Sequence, residues 1–159
     1  MKRETLFLKA ALVLLGLPIL AACVLGLPMV AMEAAEHDYE ALTWLYAIFV
    51  VMYISAIPYF AALYQSYRLL TYIDKNNAFS DLSVSALKKI KLYAAMISIL
   101  YAAGLPFFYM MAEIDDAPGV ILIGMVIIFA SVVIGVFAAV LQKLLRNAID
   151  IKSENDLTI

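Results

Sequence analysis

Charge is scarce in this sequence. Asp, Glu, Lys and Arg make up 15% of its 159 residues, too few to cover a water-soluble globule of that length. Cysteine and histidine occur once each. A lone thiol excludes an intramolecular disulfide framework and a cysteine-based zinc site, and a lone imidazole leaves any zinc site weak. There is no nucleophile–base pair, phosphate-cradling loop or convincing metal set, so no catalytic residue, no cofactor and no enzyme activity are expected. Direct nucleic-acid binding through a basic face is excluded as well. What is abundant is apolar: 66% of the residues are hydrophobic and the mean hydropathy is +0.97. One all-α, polytopic membrane domain over residues 1–159 is the class that remains.

Four runs without Asp, Glu, Lys, Arg or His occupy residues 10–32, 42–67, 92–112 and 119–141. Each has the roughly 20 residues that a helix needs to cross a hydrocarbon core of about 30 Å. Every Lys and Arg falls on one side of the resulting frame. Lys2, Arg3 and Lys9 precede the first run. Arg68, Lys75, Lys88, Lys89 and Lys91 lie in the connection 68–91, and Lys143, Arg146 and Lys152 in the tail 142–159. The other two connections hold no Lys or Arg and carry Glu33, Glu36, Asp38 and Glu40, then Glu113, Asp115 and Asp116. The positive-inside rule predicts a four-helix bundle in a cytoplasmic membrane, with both termini and the central connection in the cytoplasm. Aromatic belts are expected at both interfaces, Tyr39, Trp44, Tyr46, Phe107, Phe108 and Tyr109 on one side and Tyr64, Tyr67, Tyr72 and Tyr93 on the other.

The first run admits a second reading. Leu20-Ala21-Ala22-Cys23 has the form of a lipobox, whose cysteine is lipidated after cleavage. The apolar stretch nevertheless continues through Val30, longer than a signal-peptide core, which favours a span with a small buried thiol.

Membrane helices associate through close backbone approach and interhelical hydrogen bonds. Ala94, Ser98 and Ala102 recur every four residues in the third run, as do Ser131, Gly135 and Ala139 in the fourth. Counting inward from the basic ends predicts a seam that sets Ala94 against Ala139, Ser98 against Gly135 and Ala102 against Ser131. Pro18, Pro28, Pro58 and Pro106 lie within the runs and are expected to kink their helices, as packing devices rather than as the lining of a cavity. The hydroxyls of Tyr53, Tyr59 and Tyr101 need partners there, and a bond to a neighbouring helix is favoured over a polar pocket.

Outside the spans, Glu33, Glu36, His37 and Glu40 share a helical face. They read as a solvated acidic surface before they read as a cation site. In the central connection Ser80 is an N-cap candidate, with Phe79 and Val84 placed as a hydrophobic staple. The following 81–91 segment is amphipathic, with Lys88, Lys89 and Lys91 available to anionic lipid or an acidic partner. Leu141, Leu144, Leu145, Ala148 and Ile151 continue an apolar stripe into the tail, whose end carries Asp156, Leu157 and Ile159, an unpaired hydrophobic terminus suited to docking or to folding back on the bundle.

Residues 72–80 (Tyr-Ile-Asp-Lys-Asn-Asn-Ala-Phe-Ser), 86–91 (Ala-Leu-Lys-Lys-Ile-Lys) and the Glu154-Asn155-Asp156-Leu157-Thr158-Ile159 ending resemble a domain-of-unknown-function (DUF) family of four-span bacterial membrane proteins, the YoaS-type proteins. The resemblance covers essentially the whole chain. It implies no catalytic residue. Its members are often encoded beside a small Cro/CI-type helix-turn-helix regulator, which implies a membrane partner for a transcription factor. Two functions follow as expectations: a non-enzymatic regulatory or sensory partner of such a regulator, or a small transporter or channel subunit for a neutral or apolar solute, acting as a homo-oligomer. The absence of ionisable groups within the spans disfavours ion or proton transport.

Overall fold

The computed structural model describes residues 2–36 and 42–157, all but a few of them helical. His37, Asp38, Tyr39, Glu40 and Ile159, singled out above, lie outside the described residues. Helix α1 (Lys2–Ala21) passes through a π-helical turn (Ala22–Gly26) into α2 (Leu27–Glu36), and α3 (Leu42–Asp74), α4 (Asp81–Ile114) and α5 (Gly119–Leu157) follow. Four helical stretches are long and apolar enough to cross a membrane, Lys2–Glu36, Leu42–Asp74, Asp81–Ile114 and Gly119–Leu157. Without water, each backbone group in such a segment must find its partner within the helix. The helices also run on past their apolar stretches. The 39 residues of α5 measure about 58 Å at 1.5 Å per residue, nearly twice the core they have to cross.

Short turns set the helices antiparallel. At the end of α3 the Asn77 N–H donates to the Tyr72 carbonyl (2.7 Å) and the Asn76 N–H to that of Ile73 (3.2 Å), with Asn76 left-handed at φ 60°. The end of α4 repeats this cap: Ala117 donates to Ala112 (2.9 Å), Asp116 to Glu113 (3.4 Å), and Asp116 has φ 52°. Both caps satisfy carbonyls that a helix end leaves orphaned, with Asn and Asp in the place glycine usually takes. Ser80 is the N-cap of α4, its hydroxyl oxygen accepting from the Ser83 N–H at 3.4 Å. The hydroxyls of Ser80 and Ser83 both donate to the Asn77 carbonyl (2.6 and 3.1 Å), which locks this corner, and Ser83 is fully buried. Val84 is buried as the staple requires, but Phe79 stays 58% exposed.

The bundle is assembled from chain neighbours. Helix α4 packs extensively on α5 and α3, and the first span rests lightly on α3. Ile48, Tyr101, Phe108 and Met111 form the core, with Trp44, Phe107, Val120 and Ile127 packed against it. Trp44 and Phe107 face each other at 6.0 Å, and Tyr101 and Phe108 at 6.1 Å. Of the aromatics expected at the acidic end, Phe108 is buried in the core, Trp44 and Phe107 are half-buried against it, and Tyr46 and Tyr109 are exposed.

The α4–α5 seam uses the expected small residues in a different register. A Cβ at Gly135 would lie 3.5 Å from that of Ala94, one turn from the Ser98 level the sequence suggested. Ser131 is buried, Ala138 rather than Ala139 is buried beside it, and Ala102 is exposed. A four-residue repeat looks the same after a slip of one turn, so it cannot choose between the two registers. Contacts beyond the stripe fix it: Gly124 sits against Leu105 and Phe108, and Arg146 pairs with Asp81. Helical structure runs unbroken through Pro18, Pro58 and Pro106, and departs from α-helix only ahead of Pro28.

Candidate functional site

The departure ahead of Pro28 has a local cause. In the π turn the Leu27 N–H donates to the Ala22 carbonyl, five residues back. The next bond in that series would run from residue 28 to the Cys23 carbonyl, but proline has no N–H to give. The Tyr53 hydroxyl from α3 fills the vacancy, donating to the Cys23 carbonyl at 2.6 Å. Two turns away the Tyr59 hydroxyl donates to the Leu15 carbonyl at 2.7 Å, next to Leu14, whose carbonyl Pro18 likewise cannot serve. Tyr101 is hydrogen-bonded to Ser55 across α3 and α4 at 3.0 Å, and Ser55 also donates to the Met52 carbonyl (2.8 Å). All three tyrosines bond a neighbouring helix, the favoured expectation. Cys23 is half-buried within this continuous helical run.

At the basic end the first span is held electrostatically. Lys9 donates to Asp74 at 3.0 Å, the Thr5 hydroxyl donates to the other carboxylate oxygen, and the Lys9 ammonium also lies 5.0 Å from the centre of the Tyr67 ring. Thr5 is buried. Asp74 lies beyond the apolar run of α3, and the Thr5 hydroxyl, followed by Lys9, holds its carboxyl below the ordinary carboxylate range. A lowered value means the ionised form is favoured by folding, and the contact weakens only as pH falls through that lowered value. Protection of the first turns of α1 from hydrogen exchange should therefore persist through pH of about 4, where free Asp titrates. In Asp74→Asn it should be low at every pH. Sequence reasoning missed this node, although Asp74 and Asp81 are the two acids among the five cations of residues 68–91.

The segments assigned to docking divide. Much of the apolar face of the 81–91 turns is already covered: Ser83, Val84, Ala86 and Leu87 are all buried, Ser83 at 0% exposure the most enclosed, while Leu82 stays half-exposed. Lys91 is engaged, donating to Gln142 at 3.1 Å, and Arg146 to Asp81 at 2.7 Å. Lys88 and Lys89 remain exposed on the outer face. The end of α5 is open: Ile151 is 67% and Leu157 83% exposed, with Asp156 exposed beside them.

At the acidic end Glu33 and Glu36 are exposed, and Tyr109 donates to Glu113 at 2.6 Å. Among the described residues no group of three or more His, Cys, Asp or Glu side chains could hold a metal ion. The molecule offers a bundle with a lightly held first span and an uncovered helical tail.

Residues 27–159 match a family described as a protein of unknown function, DUF2975. Over 158 residues, 99% of each chain, the sequence is 63% identical to a Bacillus subtilis (strain 168) protein called "Uncharacterized membrane protein YoaS". No solved structure matches. With a family match over most of its length and a full-length relative of this similarity, the chain belongs to the DUF2975 family of bacterial membrane proteins.

Proposed function

We propose that this integral membrane protein is a non-enzymatic regulatory or sensory partner that holds a small cytoplasmic helix-turn-helix transcription regulator at its basic end. In this reading residues 68–91 and both termini face the cytoplasm, because all eleven Lys and Arg residues lie at that end. The carrying observation is the open end of α5. It presents Ile151 and Leu157 uncovered, with the acidic Asp156 between them. Exposed apolar side chains on a helix outside lipid favour a protein groove. The exposed Lys88 and Lys89 add a charged rim, whereas the apolar side of their helix is spent on the bundle.

The experiment is co-purification. A small helix-turn-helix regulator should accompany the full-length protein from mild detergent and be lost when residues 153–159 are removed. An intact complex after that deletion defeats the tail assignment. A reporter fused after Ile159 that is active outside the cytoplasm defeats the orientation.

A further inference from the structure

Three of the cations at the basic end have hydrogen-bonding partners on another helix. Lys9 meets Asp74, Arg146 meets Asp81 and Lys91 meets Gln142. Arg68 is different. Its guanidinium carbon lies 5.9 Å from the centre of the Tyr64 ring and 5.7 Å from that of Tyr72, one turn away on either side. Among the described residues no carboxylate or carbonyl accepts a hydrogen bond from it. Two rings hold its planar fork in place while its N–H donors remain unused.

The position matters as much as the missing acid. Helical periodicity puts Val50, Ile57, Tyr64 and Arg68 on one strip of α3, and Lys75 lies in the turn that follows the helix. The apolar members of that strip are exposed, Ile57 to 72%, so acyl chains cover them in a bilayer. Ser55 stands near the middle of the apolar run 42–67, and 13 residues of helix carry the chain about 20 Å from there to Arg68. That is the level of the phosphates, given a bilayer of about 40–45 Å including headgroups. The strip therefore changes from chain-facing to headgroup-facing where the unpaired fork sits, and Lys75 continues the positive charge outward.

We propose that Arg68, flanked by Tyr64 and Tyr72, is a binding site for the phosphate of an anionic phospholipid. The guanidinium donates to the phosphate oxygens, the two tyrosine hydroxyls supply further donors, and one acyl chain lies along Ile57 and Val50. A guanidinium matches a phosphate bidentately, which a lysine cannot do.

The test is lipid titration of the full-length protein in detergent, followed by native mass spectrometry. Arg68→Gln should lower affinity for phosphatidylglycerol about tenfold and leave that for phosphatidylcholine unchanged, the loss expected for roughly one charge-assisted hydrogen-bond pair. Lys143→Gln, which removes an exposed cation elsewhere at the same end, should change neither by more than about twofold. Should Arg68→Gln fail to fold, the Tyr64→Phe, Tyr72→Phe double variant keeps both rings and should bind phosphatidylglycerol about threefold more weakly. Equal affinity in either variant overturns the site, as does an equal loss in Lys143→Gln. Inorganic phosphate should not displace the bound lipid. Displacement would mean a site for free phosphate and would overturn the lipid assignment.

Discussion

Leucine at position 104 should keep α3 and α4 from closing on each other. A Cβ at Gly104 would already meet the two Val51 methyls at 3.2 and 3.3 Å, so even alanine would force a small shift. The isobutyl group of leucine has to enter a seam whose neighbours on α4, Tyr101 and Phe108, are themselves buried. Overpacking of this kind costs about 1–3 kcal/mol, occasionally more, a large part of the stability of a typical domain. At this chain length a loss of 3 kcal/mol lowers Tm by roughly 6–12 °C. Gly119→Ala is the matched control, because a Cβ there meets nothing within 4 Å. Thermal unfolding of both variants in the same detergent gives the answer. A Gly104→Leu protein that melts with the parent would mean that α3 and α4 do not approach this closely.

Tyr53→Phe should loosen the first span, and by an amount that depends on residue 28. The phenylalanine fills the same space but leaves the Cys23 carbonyl without a donor in a segment that water does not reach. Interhelical hydrogen bonds in membranes contribute about 0.6–2 kcal/mol. That is a substantial share for a span none of whose most apolar stretch is buried within the bundle. In a Pro28→Ala background the restored N–H can serve the Cys23 carbonyl, so removing the tyrosine hydroxyl should then cost little. The two substitutions form a double-mutant cycle with a coupling of about 1 kcal/mol. Disulfide trapping between cysteines placed in α1 and α3 reads the loosening directly. Additive effects would show that Pro28 is not what created the vacancy Tyr53 fills.

The three intramembrane tyrosines show where sequence reasoning reaches its limit. That their hydroxyls would bond neighbouring helices follows from the cost of leaving them unpaired in lipid. Which carbonyls they would find depended on a π turn that places a vacancy opposite Tyr53, and that turn has no signature beyond Pro28 itself. The Ser80 cap was legible because serine before an amphipathic segment has few other uses. The α4–α5 seam was legible in its residues and illegible in its register, since Ala94, Ser98 and Ala102 repeat with the period of the slip. The 81–91 segment was legible as amphipathic, yet whether its apolar side awaited a partner or was already covered is a question about α5, some 60 residues away in sequence. Thr5, Lys9 and Asp74 went unnoticed for the same reason: they meet across more than 60 residues of chain.

The sequence by itself determined that the chain is helical and membrane-embedded, how many times it is able to cross, and which ends carry positive charge. Those properties follow from the free energy of moving each residue between water and hydrocarbon, a quantity summed locally along the chain. Tertiary structure alone decided which helices touch, how far α5 slides against α4, and which polar groups are consumed inside the bundle. Lipid solvates apolar side chains as well as another helix does, so hydrophobicity cannot choose among those arrangements. They are chosen by close backbone approach at Gly104 and Gly135 and by a few hydrogen bonds such as that of Tyr53. Arg68 and, at the end of the tail, Leu157 are among the described residues that this choice leaves available for contacts outside the chain.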